Sequence, residues 1–289
     1  ASHAGLGILE AGGNAVDAVV AMASTLGVVE PYMSGPAGVG FMLLYSADGT
    51  ASTLNFSGTS PTGAVPRAFD EETCEIGPRA SLVPGNVAGW FEALETRGSM
   101  EAADVFAPAI AAARDGFPLH PGNVRFIETA RERLNDAGQK VFGDLAPKIG
   151  EVLVQADLAA TYERLVEMGP GEFYSGDLGR GIAEYLQEQR GLITGEDLAG
   201  YAAEWEDPIE VEYRGLTVRT CPPNNEGFQI LQTLKLLEAD DLAAMGHNSA
   251  DYIHLVSEAI KLAVVDRIRW GGDPKFSPVP LDQLLGDKY

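Results

Sequence analysis

The stretch Ala15–Val29 is apolar almost all round a helical projection, and a helix of that kind has to be buried on most of its sides. It is therefore expected to run through the middle of a layered domain. Asn14 stands at its N-cap position with Asp17 in the first turn. Gly12-Gly13 stops a preceding helix, and Glu30-Pro31 ends the apolar one.

Strand signals lie on either side of a helical middle. Residues 41–45 and 52–56 flank an Ala47-Asp48-Gly49 turn, a hairpin pattern. Residues 209–213 alternate as a strand should, and Arg214-Gly215 turns them into 216–219, a second hairpin available to a sheet. Between them, 84–202 reads as mostly helical. Ser99 is expected to cap a helix over 100–115, Gln155 to start one ending at Met168, and Gly176 to precede one ending at Arg190. Beyond a rigid Pro222-Pro223-Asn224-Asn225-Glu226-Gly227 loop, helices are expected over 228–238 and 249–270. Strands at both ends with helices between predict an α+β fold, one domain over 1–289 with no linker.

The 289 residues carry 42 acidic against 20 basic side chains, a formal charge of −22 that repels phosphate backbones and anionic bilayers. No basic patch offsets it, so neither nucleic acid nor membrane is an expected partner. No apolar run reaches the ~20 residues of a membrane span, and no targeting peptide is visible at Ala1-Ser2-His3-Ala4-Gly5. The compartment stays open between cytoplasmic and secreted. Cys74 and Cys221 have no metal or disulfide spacing and are expected to be small buried residues. The His254/Glu258 pair, with Asp251 a turn earlier, could share a helix face, but the neighbouring Lys261, Asp266, Arg267 and Arg269 favour a solvated charged face over a metal site. No metal and no cofactor are expected. His3, His120 and His247 have no partner at catalytic spacing. The chain also lacks a G-x-S-x-G elbow, an H-E-x-x-H pair and a phosphate loop; Gly38-Val39-Gly40 precedes a strand instead of following one.

Against that empty search, the block Gly7-Ile8-Leu9-Glu10-Ala11-Gly12-Gly13-Asn14-Ala15-Val16-Asp17-Ala18 resembles the N-terminal signature of the gamma-glutamyltranspeptidase family. Val83-Pro84-Gly85-Asn86-Val87-Ala88-Gly89, Ala113-Arg114-Asp115-Gly116-Phe117, Glu172-Phe173-Tyr174, Tyr213-Arg214-Gly215, Cys221-Pro222-Pro223 and Gly272-Asp273-Pro274 continue the resemblance in order. It implies a large subunit cut from a precursor, with the nucleophilic Thr at the new N-terminus of a small subunit. That Thr's own α-amine can act as the adjacent base. This chain would then hold no catalytic residue. The implied fold is the four-layer αββα sandwich of N-terminal-nucleophile hydrolases, shared with the small subunit. The implied substrate is a small-molecule amide, and the resemblance admits a dimer of heterodimers.

By the same resemblance, Ser57 stands where the family carries an Arg that grips the substrate α-carboxylate, a task for a bidentate guanidinium. The pattern around it resembles a transpeptidase-like branch that includes an oxamate amidohydrolase, whose members often have an Arg where this chain has Thr59. The glycine loop, Ser34-Gly35-Pro36-Ala37-Gly38-Val39-Gly40, is also sparser than usual. Ser57, Gly58 and Thr59 are therefore candidate substrate contacts, the alternative being that they only end a strand in a turn. Arg67 and Arg79 are candidate replacement anchors. Glu226 is another candidate, or else an acid in the first turn of the following helix. The leading expectation is an amidohydrolase or acyl transferase with a substrate that is not necessarily gamma-glutamyl. A gamma-glutamyltranspeptidase with a relocated Arg and a non-catalytic scaffold are the alternatives.

Overall fold

The computed structural model describes residues 1–143 and 147–289. In chain order it has α1 (Ser2–Glu10), α2 (Ala15–Val29), β1 (Gly40–Tyr45), β2 (Ala51–Phe56), α3 (Asn86–Arg97) and α4 (Ala102–Asp115). Next come β3 (Phe117–Pro118), α5 (Pro121–Ala130), the single turn α6 (Asp136–Gly138), β4 (Val152–Leu153), α7 (Ala156–Met168), α8 (Gly171–Tyr174), α9 (Asp177–Glu188) and α10 (Gly195–Ala199). The last third holds β5 (Glu204–Glu206), β6 (Ile209–Tyr213), β7 (Leu216–Thr220), α11 (Phe228–Leu236), α12 (Ala250–Trp270) and α13 (Leu281–Leu284). The content is α+β, as expected. No helix among the described residues is long and apolar enough to cross a membrane.

The chain forms two compact units, one of Ala1–Gly40 with Phe56–Ala203 and one of Phe41–Asn55 with Glu204–Tyr289. The first is helical and built around α2. Asn14 Oδ1 accepts from Val16 N (2.8 Å) and Asp17 N (3.1 Å), while Asp17 accepts from Asn14 N (2.8 Å). This reciprocal capping box fixes where the helix begins. At its other end, Asn123 of α5 donates to the Val29 carbonyl and Gln155 to the Val28 carbonyl, each at 2.8 Å, and the Tyr162 hydroxyl to Ser24 O at 3.2 Å. The bonds to Val28 and Val29 fill helix-end carbonyls that have no intrahelical donor, and the Tyr162 bond adds a tie to the last full turns. Trp90, Phe106 and Tyr162, all essentially buried, pack with ring centroids 5.7 to 6.5 Å apart.

Ser99 does not cap the helix that follows it. Helix α4 starts at Ala102 with Glu101 at its N-cap, and the Ser99 hydroxyl instead donates to Asp17 at 2.6 Å. A buried carboxylate is a stronger acceptor target than a cap position, because a charge-assisted bond is worth about twice a neutral one. The helix expected to reach Arg190 stops at Glu188, and Arg190 takes a left-handed conformation with φ 63°. Cys74 is exposed and Cys221 half-buried, so neither is the buried residue expected. Cys74 lies in the surface turn in which Thr73 and Asp70 bond each other, its N–H donating to the Asp70 carbonyl at 3.2 Å.

In the second unit, β1, β2 and β5 form one sheet in that order, with β2 and β5 antiparallel and Leu54 opposite Trp205. Strand β5 was not expected; three residues are too few for an alternation to show. β6 and β7 pair separately, Ile209 with Thr220 through Tyr213 with Leu216. Arg214 (φ 52°) and Gly215 (φ 80°) supply the two positive φ angles of a primed hairpin turn. Ser249 caps α12, accepting from Tyr252 N at 3.2 Å. The two expected hairpins are thus present, and they belong to different sheets.

Candidate functional site

In the first unit, Phe56 ends β2 in a cage of glycines. A Cβ on Gly40 or Gly89 would come within 2.6 Å of its ring, and one on Gly85 would overlap its backbone carbonyl, so Gly85 and Gly89 both make room for Phe56. The turn of Ser57, Gly58 and Thr59 follows. Ser57 and Gly58 are half-buried and Thr59 exposed. Gly58 has φ 77°, and a Cβ there would stand 2.5 Å from the Val83 carbonyl oxygen. Its N–H donates to the Tyr201 hydroxyl at 3.2 Å, and Val83 N donates to the Thr59 carbonyl at 2.8 Å. The turn is pinned by its backbone on both sides, and what it presents at Ser57 and Thr59 is hydroxyl.

The support beneath it comes from the start of α3. Gly85 N and Asn86 N both donate to Gly38 O at 2.9 Å, and Asn86 Nδ2 donates to Gly35 O at 2.7 Å. Two N–H groups at this helix start are thus spent on the glycine loop. Tyr174 donates to Pro84 O (2.9 Å), accepts from Ala88 N (3.0 Å) and stacks on Tyr201 with centroids 5.7 Å apart. Burial pushes the Tyr174 hydroxyl pKa up, so it stays a neutral donor. Neither tyrosine was singled out from sequence, although Tyr174 lies within one of the family-like blocks.

The two candidate arginines separate. Arg79 donates to the carbonyls of Ala68 (2.7 Å) and Arg190 (3.3 Å), tying two loops together, whereas Arg67 is exposed in the 3₁₀ turn Pro66–Ala68. Just past the turn, Thr62 donates to Asp197 through its N–H (2.9 Å) and hydroxyl (2.5 Å), and Thr194 does the same at 2.9 and 2.8 Å. Burial alone would raise the Asp197 pKa, but these four donors outweigh it and hold the carboxyl at about 2. The unfolded value is about 3.9. The unfolded chain therefore takes up this proton first, and the stability from Asp197 is complete above about pH 5 and lost as the pH falls from about 4 towards 2. Asp197→Asn is expected to lower the urea midpoint at pH 7 and to flatten the loss between pH 5 and 3; an unchanged acid limb would refute this.

In the second unit, Asn55 Nδ2 donates to both Glu206 oxygens (3.3 and 3.4 Å) and to Asn224 Oδ1 (3.1 Å). Burial raises the Glu206 pKa, and the bond from Asn55 opposes it. Its neighbour on β5, Glu204, pairs with Lys275 at 2.7 Å. Glu226 precedes α11, which begins at Phe228 with Gly227 as N-cap, so it is not the first-turn acid that the alternative reading required. Its carboxylate pairs with Arg267. The His254/Glu258 face binds as a charged surface would, Glu258 pairing with Lys261 at 2.6 Å, and no group of three metal-ligating side chains is found among the described residues. The sequence reading missed Asn55, Glu206 and Asn224, which come together from segments up to 169 positions apart.

The profile of the family described as gamma-glutamyltranspeptidase matches residues 1–289. A glutathione hydrolase proenzyme of Pseudomonas aeruginosa is 37% identical over 294 residues, covering 98% of this chain and 52% of its own length. The acylase ACY 1 proenzyme of Pseudomonas sp. (strain SE83) is 36% identical, covering 100% and 55%. The crystal structure of Helicobacter pylori gamma-glutamyltranspeptidase superposes with a TM-score of 0.96 at 33% identity, over 100% of this chain and 86% of that one. The chain spans about half the length of the curated relatives it matches. With the profile matched from end to end and the fold shared at that level, the chain belongs to the gamma-glutamyltranspeptidase family.

Proposed function

We propose that this chain is the large-subunit half of an autoprocessed amidohydrolase or acyl transferase, with the nucleophilic Thr and the oxyanion donors on the remainder of the precursor. The αββα sandwich would be completed only there. The Thr hydroxyl adds to the acyl carbon of a small amide, its α-amine takes the proton and passes it to the leaving amine, and water or an amine acceptor then takes the acyl group. The relatives' status as proenzymes and the absence of any self-contained catalytic motif in this chain both support the reading.

The observation that carries the substrate side is the pinned turn, with hydroxyls at Ser57 and Thr59 and no guanidinium on it. A hydroxyl cannot replace a bidentate charge pair, so the substrate is a small amide that need not carry an α-carboxylate. Given a gamma-glutamyl anilide and, separately, a panel of small carboxamides, the two-chain enzyme is expected to turn over at least one carboxamide with the higher kcat/KM. No turnover of any amide, or a second chain that does not begin with Thr, would sink the reading. Exposed Arg67 supports one alternative, a gamma-glutamyl enzyme whose anchor has moved. In that case the anilide is preferred, and Arg67→Ala raises its KM about tenfold or more with kcat little changed.

A further inference from the structure

Both ends of the segment from Gly58 to Thr62 are held by one turn of helix. Gly58 N donates to the Tyr201 hydroxyl at 3.2 Å, and Thr62 donates to Asp197 through its N–H (2.9 Å) and its hydroxyl (2.5 Å). Asp197 lies in α10, and the chain stays wound past the end of that helix, with Gly200 in the right-handed region and Tyr201 N donating to Leu198 O at 3.0 Å. The two holders are therefore as far apart in sequence as the two positions they hold. Asp197 is ionised, its carboxyl pKa held at about 2, so the Thr62 end is fixed by charge-assisted bonds. The Gly58 end rests on a neutral hydroxyl.

That neutral bond decides which way the turn faces. With φ 77° and no side chain, Gly58 gives the Ser57–Gly58 peptide a freedom to rotate that another residue would lack. The peptide is trans, so its N–H and the Ser57 carbonyl point in opposite directions. A hydroxyl that takes the N–H fixes the orientation of the whole peptide, and with it the direction in which the Ser57 side chain leaves the backbone. On the far side of Gly58, Val83 N holds the Thr59 carbonyl at 2.8 Å. Tyr201 is in turn placed by its ring, which stacks on buried Tyr174 with centroids 5.7 Å apart. Tyr174 is tied to backbone on both sides of Gly85, through Pro84 O and Ala88 N. The position of the Tyr201 hydroxyl is thus set by packing outside the turn.

We infer that Tyr201 is a positioning residue for the substrate: through Gly58 it aims the hydroxyls of Ser57 and Thr59 at the acyl group of the amide. The inference rests on the reading of that turn as the substrate contact given above. Tyr201 touches no reacting atom, so it acts on the placement of the acyl group and not on the chemistry of the nucleophile. One neutral hydrogen bond is a small part of the stability of a fold this size, yet it is enough to bias a single peptide between two orientations.

Tyr201→Phe keeps the ring and its stack on Tyr174 and removes only the hydroxyl. In the complete two-chain enzyme, with whichever carboxamide or gamma-glutamyl anilide is turned over best, KM is expected to rise about three- to tenfold with kcat changed less than about twofold. A merely structural role would not give that split, because a partly unfolded sample loses kcat per mole of protein and keeps the KM of its folded fraction. A double-mutant cycle locates the effect in the turn. In a Ser57→Ala, Thr59→Ala background the same Phe substitution should raise KM less than about twofold. An unchanged KM in Tyr201→Phe, with or without a loss of kcat, overturns the inference and leaves the amidohydrolase reading standing. So does a rise as large in the background that lacks both hydroxyls, and so does an insoluble Tyr201→Phe, which would put the hydroxyl's role in folding. An enzyme that turns over no amide at all removes the reading and this inference with it.

Discussion

Replacing Asp17 by Ala is expected to lower the unfolding free energy by about 3 kcal/mol. The carboxylate is fully buried and accepts from Asn14 N (2.8 Å), Ser99 N (3.0 Å), Ser99 Oγ (2.6 Å) and Met100 N (3.3 Å). Burial raises its pKa, but these hydrogen bonds outweigh that and bring it below the ordinary carboxylate value. The group is therefore stabilising when ionised, and its contribution fades only as the pH falls below the usual carboxylate range. Removing it strips the capping box from α2 and leaves the donors at the start of the α3–α4 connection without their acceptor. Asp17→Asn should cost less, since one oxygen still accepts while the new amide faces donors. Urea unfolding at pH 7 measures both, and an Ala variant within about 0.5 kcal/mol of the parent would contradict the account.

Gly85→Ala is expected to be at least as damaging. A Cβ there would overlap the Phe56 carbonyl oxygen and stand 2.7 Å from both the Phe56 carbonyl carbon and the Tyr201 hydroxyl. Backbone cannot yield as a flexible side chain can, so Phe56 must move off Gly85. We expect a loss of about 3 kcal/mol or more, or insoluble protein. Because the turn of Ser57, Gly58 and Thr59 follows Phe56, any soluble remainder should lose most of its activity. Gly7→Ala is the control. It sits in α1 with open space around the new methyl and should stabilise by about 0.5–1 kcal/mol. Equal melting temperatures for the two variants would refute the packing argument.

Much of the architecture was legible because its signals are local. The Asn14 cap with Asp17 in the first turn and the Arg214-Gly215 turn are each decided within four residues, and the structure has both where the sequence placed them. Ser99 was misread for the same reason. It satisfies a local capping rule, yet its acceptor is a carboxylate 82 positions away. The candidate site divides in the same way. Ser57, Gly58 and Thr59 stand out in the sequence, while Tyr201, which holds Gly58 from 143 positions away, does not.

The sequence by itself determined the family, the buried helix at the centre of the first unit and the hydroxyl character of the turn at Ser57, since these rest on residue identity and short-range periodicity. Only the tertiary structure decided that Arg79 is consumed by two carbonyls while Arg67 is exposed, and that Glu226 is matched by Arg267. A side chain's partners are set by which distant segments the fold brings within about 3 Å, and one-dimensional spacing does not encode that choice.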